Sequence, residues 1–114
     1  MAELDLVRSY LDSLAELEEA ESKIKSLAQM ILGAGNALIN GPYSLAISGM
    51  MDFPPEVIMK RVGFRLNPDD WPTAEEIGED LLMMHSAHSK VTERWQKLSS
   101  SDQQNLTPPP PKRY

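Results

Sequence analysis

The first thirty residues carry apolar side chains at the spacing of a helix that packs through a narrow stripe. These side chains recur every three or four residues, and one phase slip falls between residues 14 and 17. The stripe consists of Leu4, Val7, Leu11, Leu14, Leu17, Ala20, Ile24, Leu27 and Ile31. Such spacing is typical of helices that associate as coiled coils. It predicts a helix over residues 3–32.

Residues 26–51 contain no charged side chain, although a quarter of the whole chain is charged. Polar residues, four glycines and Pro42 interrupt this stretch, so no run of about 18 apolar residues remains and no membrane span is predicted. Gly33 and Gly35 predict the end of the first helix, because glycine readily adopts the left-handed cap conformation. We expect short helices or extended pieces here, buried within the fold or covered by another chain.

Two further helices are predicted in the second half of the chain. Prolines at 54 and 55 and a glycine at 63 indicate a short helix over residues 55–62. Thr73 and Glu76 match a capping box and predict the start of a long helix over residues 74–98. Its apolar row consists of Ile77, Leu81, Met84, His88, Val91, Trp95 and Leu98.

These elements define an all-α fold with two long amphipathic helices, a short helix and an uncharged connecting segment. We expect residues 1–98 to form a single helical domain. Residues 99–114 contain Pro108–Pro111 and predict a polar tail that is extended or disordered. Two long helices alone enclose little core, so the fold is expected to be oligomeric or covered by a larger partner.

Composition narrows the classes of function. The 114-residue chain has a formal net charge of −6, which argues against nucleic-acid binding because that requires clustered Lys and Arg. The absence of cysteine excludes disulfides and thiolate chemistry. The N-terminal residues include early acids and no apolar segment, so no signal peptide is predicted.

Candidate catalytic or metal-binding residues are few. His85 and His88 lie three residues apart on the long second helix, but their helical neighbours are apolar and supply no carboxylate ligand. His88 is more simply interpreted as a packed or pH-sensitive contact. Gly33-Ala34-Gly35 lacks the lysine of a phosphate loop, and no nucleophile-elbow serine occurs. We therefore expect no enzyme activity and no cofactor.

Association features remain, and they give the predicted interface. Trp71 lies in a turn-rich connector, where an exposed tryptophan suits an interface anchor. Together with the two helical stripes it completes the predicted interface set, which is Leu4, Val7, Leu11, Leu14, Leu17, Ile24, Leu27, Ile31, Trp71, Ile77, Leu81, Met84 and His88. The expected partners are further copies of this chain or other protein subunits of an assembly.

The last 45 or so residues show a resemblance to known proteins. Asn67-Pro-Asp-Asp-Trp71-Pro-Thr-Ala-Glu-Glu-Ile77, the helix ending in Trp95-Gln-Lys-Leu98, then Asp102 and Leu106-Thr-Pro-Pro-Pro-Pro, are similar to small helical proteins of tailed-bacteriophage gene sets. The resemblance implies a virion or assembly component, or a small host-takeover protein, located in the virion or the host cytoplasm. The leading hypothesis is a structural or assembly protein. The alternative is an acidic inhibitor or adaptor that binds a host protein through residues 16–21.

Overall fold

The structure is a computed structural model that describes residues 2–60 and 63–114. Its architecture is all-α, with two long helices and one pair of very short strands. In chain order the elements are α1 (Ala2–Asn40), a 3-10 turn (Pro42–Ser44), β1 (Leu45–Ile47), α2 (Pro55–Lys60), β2 (Phe64–Leu66), α3 (Ala74–Gln96) and α4 (Ser100–Asn105). Among the described residues, none of the helices is both long and apolar enough to span a membrane.

The first helix is longer than the sequence predicts. The prediction that Gly33 and Gly35 end it at residue 32 is wrong, because α1 continues to Asn40. Neither glycine has a positive φ, so neither adopts the left-handed cap conformation. The helix ends where the N–H of Gly41 makes the last bond, to the carbonyl of Ala37, and where Pro42 has no N–H to continue.

The uncharged stretch, residues 26–51, contains a short strand, β1. The sequence had not decided between short helices and extended pieces there. β1 pairs in parallel with β2, with Leu45 opposite Phe64 and Ile47 opposite Leu66. Between the strands the chain reverses at Gly49, whose φ of 81° is the left-handed conformation that favours glycine. The all-α class therefore holds, with a two-stranded parallel pair added to it.

The second half follows the predicted helices closely. α2 begins at Pro55 as predicted and is described to Lys60, so its predicted last two residues, 61 and 62, lie outside the described residues. The predicted helix over 74–98 is confirmed as α3, which ends two residues earlier. Thr73 caps it, since the Thr73 hydroxyl accepts the N–H of Glu76 at 3.1 Å.

The segment after α3 is partly helical, although the sequence predicted an extended tail from residue 99. The hydroxyl of Ser99 accepts the N–H of Asp102 at 3.2 Å and thereby caps α4. Beyond Asn105 the segment has no helical structure. The prolines at 108–111 explain this, because four successive residues without N–H groups cannot continue a helix.

Contacts within the chain group its residues into two compact units. The first comprises Met1–Ile24 and Gly78–Tyr114, and the second comprises Lys25–Ile77. Residues 99–114 thus belong with the first unit. The division into a single domain over 1–98 and a tail over 99–114 stays a prediction. The first unit has a core of four buried side chains, surrounded by partly buried ones. The four are Tyr10, Leu17, Val91 and Leu98.

Candidate functional site

The buried face of α1 in the first unit follows one continuous heptad pattern. Its members lie four, three, four and three residues apart, without the phase slip that the sequence interpretation placed after residue 14. They are Leu6, Tyr10, Ser13, Leu17 and Ala20. By contrast, Leu4 and Leu11 of the predicted stripe are 72% and 47% exposed. The predicted stripe was therefore wrong at Leu4 and Leu11, and it left out Tyr10 and Ser13, which are buried.

α1 and α3 are antiparallel within this unit. The guanidinium of Arg94 donates to the carbonyl of Ser9 at 2.8 Å. Further along α1, and further back along α3, the ammonium of Lys90 lies 3.1 Å from the carboxylate of Glu16. Between these two contacts the residue number rises along α1 and falls along α3, so the two helices are antiparallel. The sequence alone did not determine this orientation.

Tyr10 joins the two helices to the C-terminal segment. Its ring lies against that of Trp95, with centroids 5.2 Å apart and the planes inclined by 47°. Its hydroxyl donates a hydrogen bond of 2.6 Å to the carbonyl oxygen of Thr107. Burial raises the pKa of the Tyr10 phenol. The phenol therefore stays protonated, and so remains a donor, at any physiological pH.

The proline segment lies along the same helix pair. The Nε2 atom of His88 is 2.8 Å from the carbonyl oxygen of Pro110, and because a carbonyl only accepts, Nε2 carries the proton. A cavity of about 570 Å³ lies beside the segment, lined by Leu14, Leu17, Glu18 and Glu21 together with residues 107–111. The tail thus occupies a groove on the first unit without filling it.

The second unit buries little and exposes much. Within the described residues, its buried hydrophobic side chains are the small ones of Ala34, Ala46 and Val57. Twelve large hydrophobic side chains of this unit are exposed: Met30, Ile31, Leu32, Leu38, Ile39, Tyr43, Met50, Met51, Ile58, Met59, Phe64 and Trp71. We call these twelve residues the apolar surface of the second unit. Single exposed apolar residues are ordinary, but twelve among the described residues of so small a unit are not.

Polar contacts in the second unit hold its loops. The guanidinium of Arg65 lies 2.8 Å from the Asp52 carboxylate and 4.7 Å above the Phe53 ring. The hydrogen bond from Arg65, then that from the backbone N–H of Phe53, lowers the pKa of Asp52. Both partners are largely exposed, so this pair orders the loop more than it stabilises the fold.

The predicted interface residues fall into three environments. Leu17 is buried in the core of the first unit, with Val7, Leu14 and Met84 packed against it. The half-buried members are Ile24, Leu27, Ile77 and His88, and the exposed members are Leu4, Leu11, Ile31, Trp71 and Leu81. Part of the set therefore serves the chain's own core. That the exposed part forms an interface stays a prediction.

The two histidines that the sequence singled out have different environments. His88 contacts the tail, whereas His85 is exposed beside it and lines a second cavity, of about 320 Å³, with Leu81 and the last four residues. In the parts of the chain that the structure describes, no three His, Asp or Glu residues form a group suited to a metal ion.

The fold and site define a class: an antiparallel helix pair clasped by its own proline-rich segment, joined in sequence to a small unit rich in exposed apolar residues. No family model, curated protein or solved structure matches this chain. Sequence reasoning missed Tyr10, Thr107 and Pro110. The available signal was the uninterrupted heptad that passes through Tyr10.

Proposed function

We propose that this chain is a non-enzymatic structural or assembly protein that associates with further copies of itself through the apolar surface of the second unit. The observation that supports this most is the contrast between three small buried hydrophobic residues and twelve large exposed ones in the described part of that unit. Together the twelve present on the order of 1,000 Å² of hydrocarbon and aromatic area. That is comparable with the roughly 800 Å² that each partner buries in a standard interface.

A second copy is the partner that the charges favour. The chain carries a net charge of −6, so two copies repel each other wherever their charged surfaces approach. Residues 26–51, which supply most of the apolar surface, carry no charge. Two such stretches meet without repulsion and without buried unpaired charges, which suits a contact between identical surfaces.

The resemblance of residues 67–111 to small phage proteins supports a more specific setting. In this proposal the chain is a component of a tailed-phage virion or of its assembly. Repeated copies are the rule in such particles, and a small protein that exposes an apolar surface until it meets its neighbour fits that role.

The test pairs substitutions on the two units of the full chain. Met50 and Met59 are 79% and 85% exposed, so Met50→Ser with Met59→Ser removes apolar area without opening a core. Leu4→Ser with Leu82→Ser is the matched control in the first unit, at 72% and 69% exposure. Sedimentation should show about tenfold or more weaker association for the methionine pair alone. Dissociation by the control pair alone would overturn the proposal.

The second candidate is a small acidic adaptor or inhibitor that binds a basic host protein. It draws support from Glu18 and Glu19, which are exposed and take part in none of the ion pairs seen in residues 2–60 and 63–114. Glu16 of the same predicted face is already paired with Lys90. Strong salt dependence of a captured partner, lost in Glu18→Lys with Glu19→Lys, would favour this candidate.

A further inference from the structure

We propose that the groove formed by α1 and α3 in the first unit is a binding site for an extended proline-rich peptide, and that a second copy of this chain supplies such a peptide by exchanging its tail. The inference draws on the proposed self-association only for the presence of a second copy. The site itself stands on the geometry of Tyr10, His88 and the tail.

Two donors read two carbonyls that lie three residues apart. Tyr10 donates to the carbonyl of Thr107 at 2.6 Å, and His88 donates to that of Pro110 at 2.8 Å. A polyproline II helix has three residues per turn and rises about 9 Å over them, so carbonyls three residues apart face the same side. The two donors therefore match one side of one turn of such a helix.

A surface that binds a run of prolines through backbone hydrogen bonds must donate to their carbonyls. Pro108, Pro109 and Pro110 have no N–H, so their carbonyls are the only backbone groups that a binding surface recognises through hydrogen bonds. Aromatic side chains that carry a donor are the usual means of binding such segments. Tyr10, backed by the ring of Trp95, has this character.

Both donors belong to the helices and have contacts there besides those with the tail. Tyr10 is fully buried, and its backbone carbonyl accepts the hydroxyl of Ser13 at 2.7 Å. Thr92 donates its hydroxyl to the carbonyl of His88 at 3.0 Å, while its oxygen lies 3.5 Å from Nδ1 of that imidazole. The two donors are thus part of the helices, and any extended segment with carbonyls at this spacing can accept from them.

The proline segment is held by few hydrogen bonds, so we expect it to exchange. Two hydrogen bonds favour the bound tail by a factor on the order of 10 to 100, and a cavity of about 570 Å³ remains beside it. A tethered tail has an effective concentration in the millimolar range, so the same peptide, added free, should bind an empty groove with a dissociation constant below about 1 mM.

The first experiment uses the full chain with Pro108–Pro111 each changed to Gly. These changes keep the backbone carbonyls but remove the preformed polyproline II conformation, so the tail binds its own groove more weakly; we call this variant the tail-released chain. The synthetic peptide Leu106–Tyr114 is titrated into it by calorimetry. We expect saturable binding that Tyr10→Phe and His88→Leu each weaken by about 3- to 10-fold. His88→Gln, which keeps a donor, should bind nearly as tightly. Ser89→Ala, at an exposed position of the same helix, should leave binding unchanged. A folded tail-released chain that does not bind the peptide at about 5 mM overturns the inference.

If the tail-released chain does not fold, a displacement experiment on the unaltered chain tests the inference instead. A fluorophore is attached at Tyr114, which is fully exposed, and excess peptide is added. Gain of mobility of the fluorophore supports a displaceable tail, and unchanged anisotropy at about 5 mM peptide overturns it.

Exchange between copies is tested by mixing two full-length variants. One carries Tyr10→Phe and His88→Leu with its own tail intact, and the other has the released tail and an intact groove. Energy transfer between dyes on the first chain's tail and the second chain's α3 should exceed that of two tail-released chains, and equal transfer overturns the exchange. Met50→Ser with Met59→Ser should leave peptide binding unchanged, so failure of the groove and failure of the proposed self-association are distinguishable.

Discussion

The hydroxyl of Tyr10 donates a 2.6 Å hydrogen bond to the backbone carbonyl of Thr107, 97 residues later in the chain. This bond closes the first unit, because it ties α1 to the segment that follows α4. Tyr10→Phe should lower the free energy of unfolding by about 0.5–1.5 kcal/mol, since it removes only the donor.

Urea unfolding of the two variants measures this effect. Thr107→Ala is the matched control, because the acceptor is a backbone carbonyl that the substitution retains, and its side chain is exposed. The control should change stability by less than about 0.5 kcal/mol. Equal loss in both variants would mean that the side chain of Thr107, and not the bond from Tyr10, secures the segment.

Alkaline pH should weaken the fold through the same residue. Burial raises the pKa of Tyr10 above the 10.0 of a free phenol, so the unfolded chain loses this proton at a lower pH than the folded one. The resulting stabilisation is complete below pH 10.0 and is lost as pH rises through the folded-state pKa. The free energy of unfolding, measured from pH 8 to 11, should decrease more steeply with pH in the natural chain than in Tyr10→Phe. Identical slopes would contradict a buried phenol.

The continuity of α1 makes a prediction at Gly35. This glycine is in the interior of a helix, and an added Cβ would have no atom within 4 Å. Gly35→Ala should therefore raise the free energy of unfolding by about 0.5–1 kcal/mol. Gly49→Ala is the contrasting variant, since its φ of 81° strains any other residue, and it should be destabilised. If Gly35→Ala were destabilising, Gly35 would instead act as the helix cap that the sequence predicted.

Gly63 is expected to tolerate no side chain. A Cβ there would lie 2.5 Å from the ring of Phe53, which also contacts the guanidinium of Arg65, 4.7 Å from the ring centroid. Gly63→Ala should cost about 1–3 kcal/mol through displacement of this ring. Gly78→Ala, with no atom within 4 Å of its added Cβ, should be neutral or stabilising in the same thermal unfolding experiment. A neutral Gly63→Ala would show that the ring moves freely.

Elements with long, regular patterns could be predicted from the sequence. α3 combines a Thr73 cap, a steady apolar row and a start fixed by Pro72, so its bounds were predicted within two residues. In α1 the pattern was strong, but glycine was given its usual role as a cap. Whether a glycine caps a helix depends on φ, and the local sequence does not determine φ when helix-forming residues follow, as Asn36–Ile39 do here.

The two strands and the groove could not be predicted from the hydrophobic pattern of the sequence. β1 and β2 have three residues each, too few to show alternation, and their parallel pairing depends on contacts between distant segments. The groove needs Tyr10 and His88 to meet residues 107 and 110, which no local spacing reveals. Tyr10 is also both apolar and polar, so it was left out of a stripe defined by aliphatic residues.

The most direct test of the proposed self-association is the mass of the full, unaltered chain in solution. Light scattering after gel filtration should be recorded from about 10 μM to 1 mM, a range that covers typical oligomer affinities. Self-association predicts a mass that is a defined multiple of 12.8 kDa and that falls toward 12.8 kDa when Met50→Ser and Met59→Ser are introduced. A mass of 12.8 kDa at every concentration would contradict it.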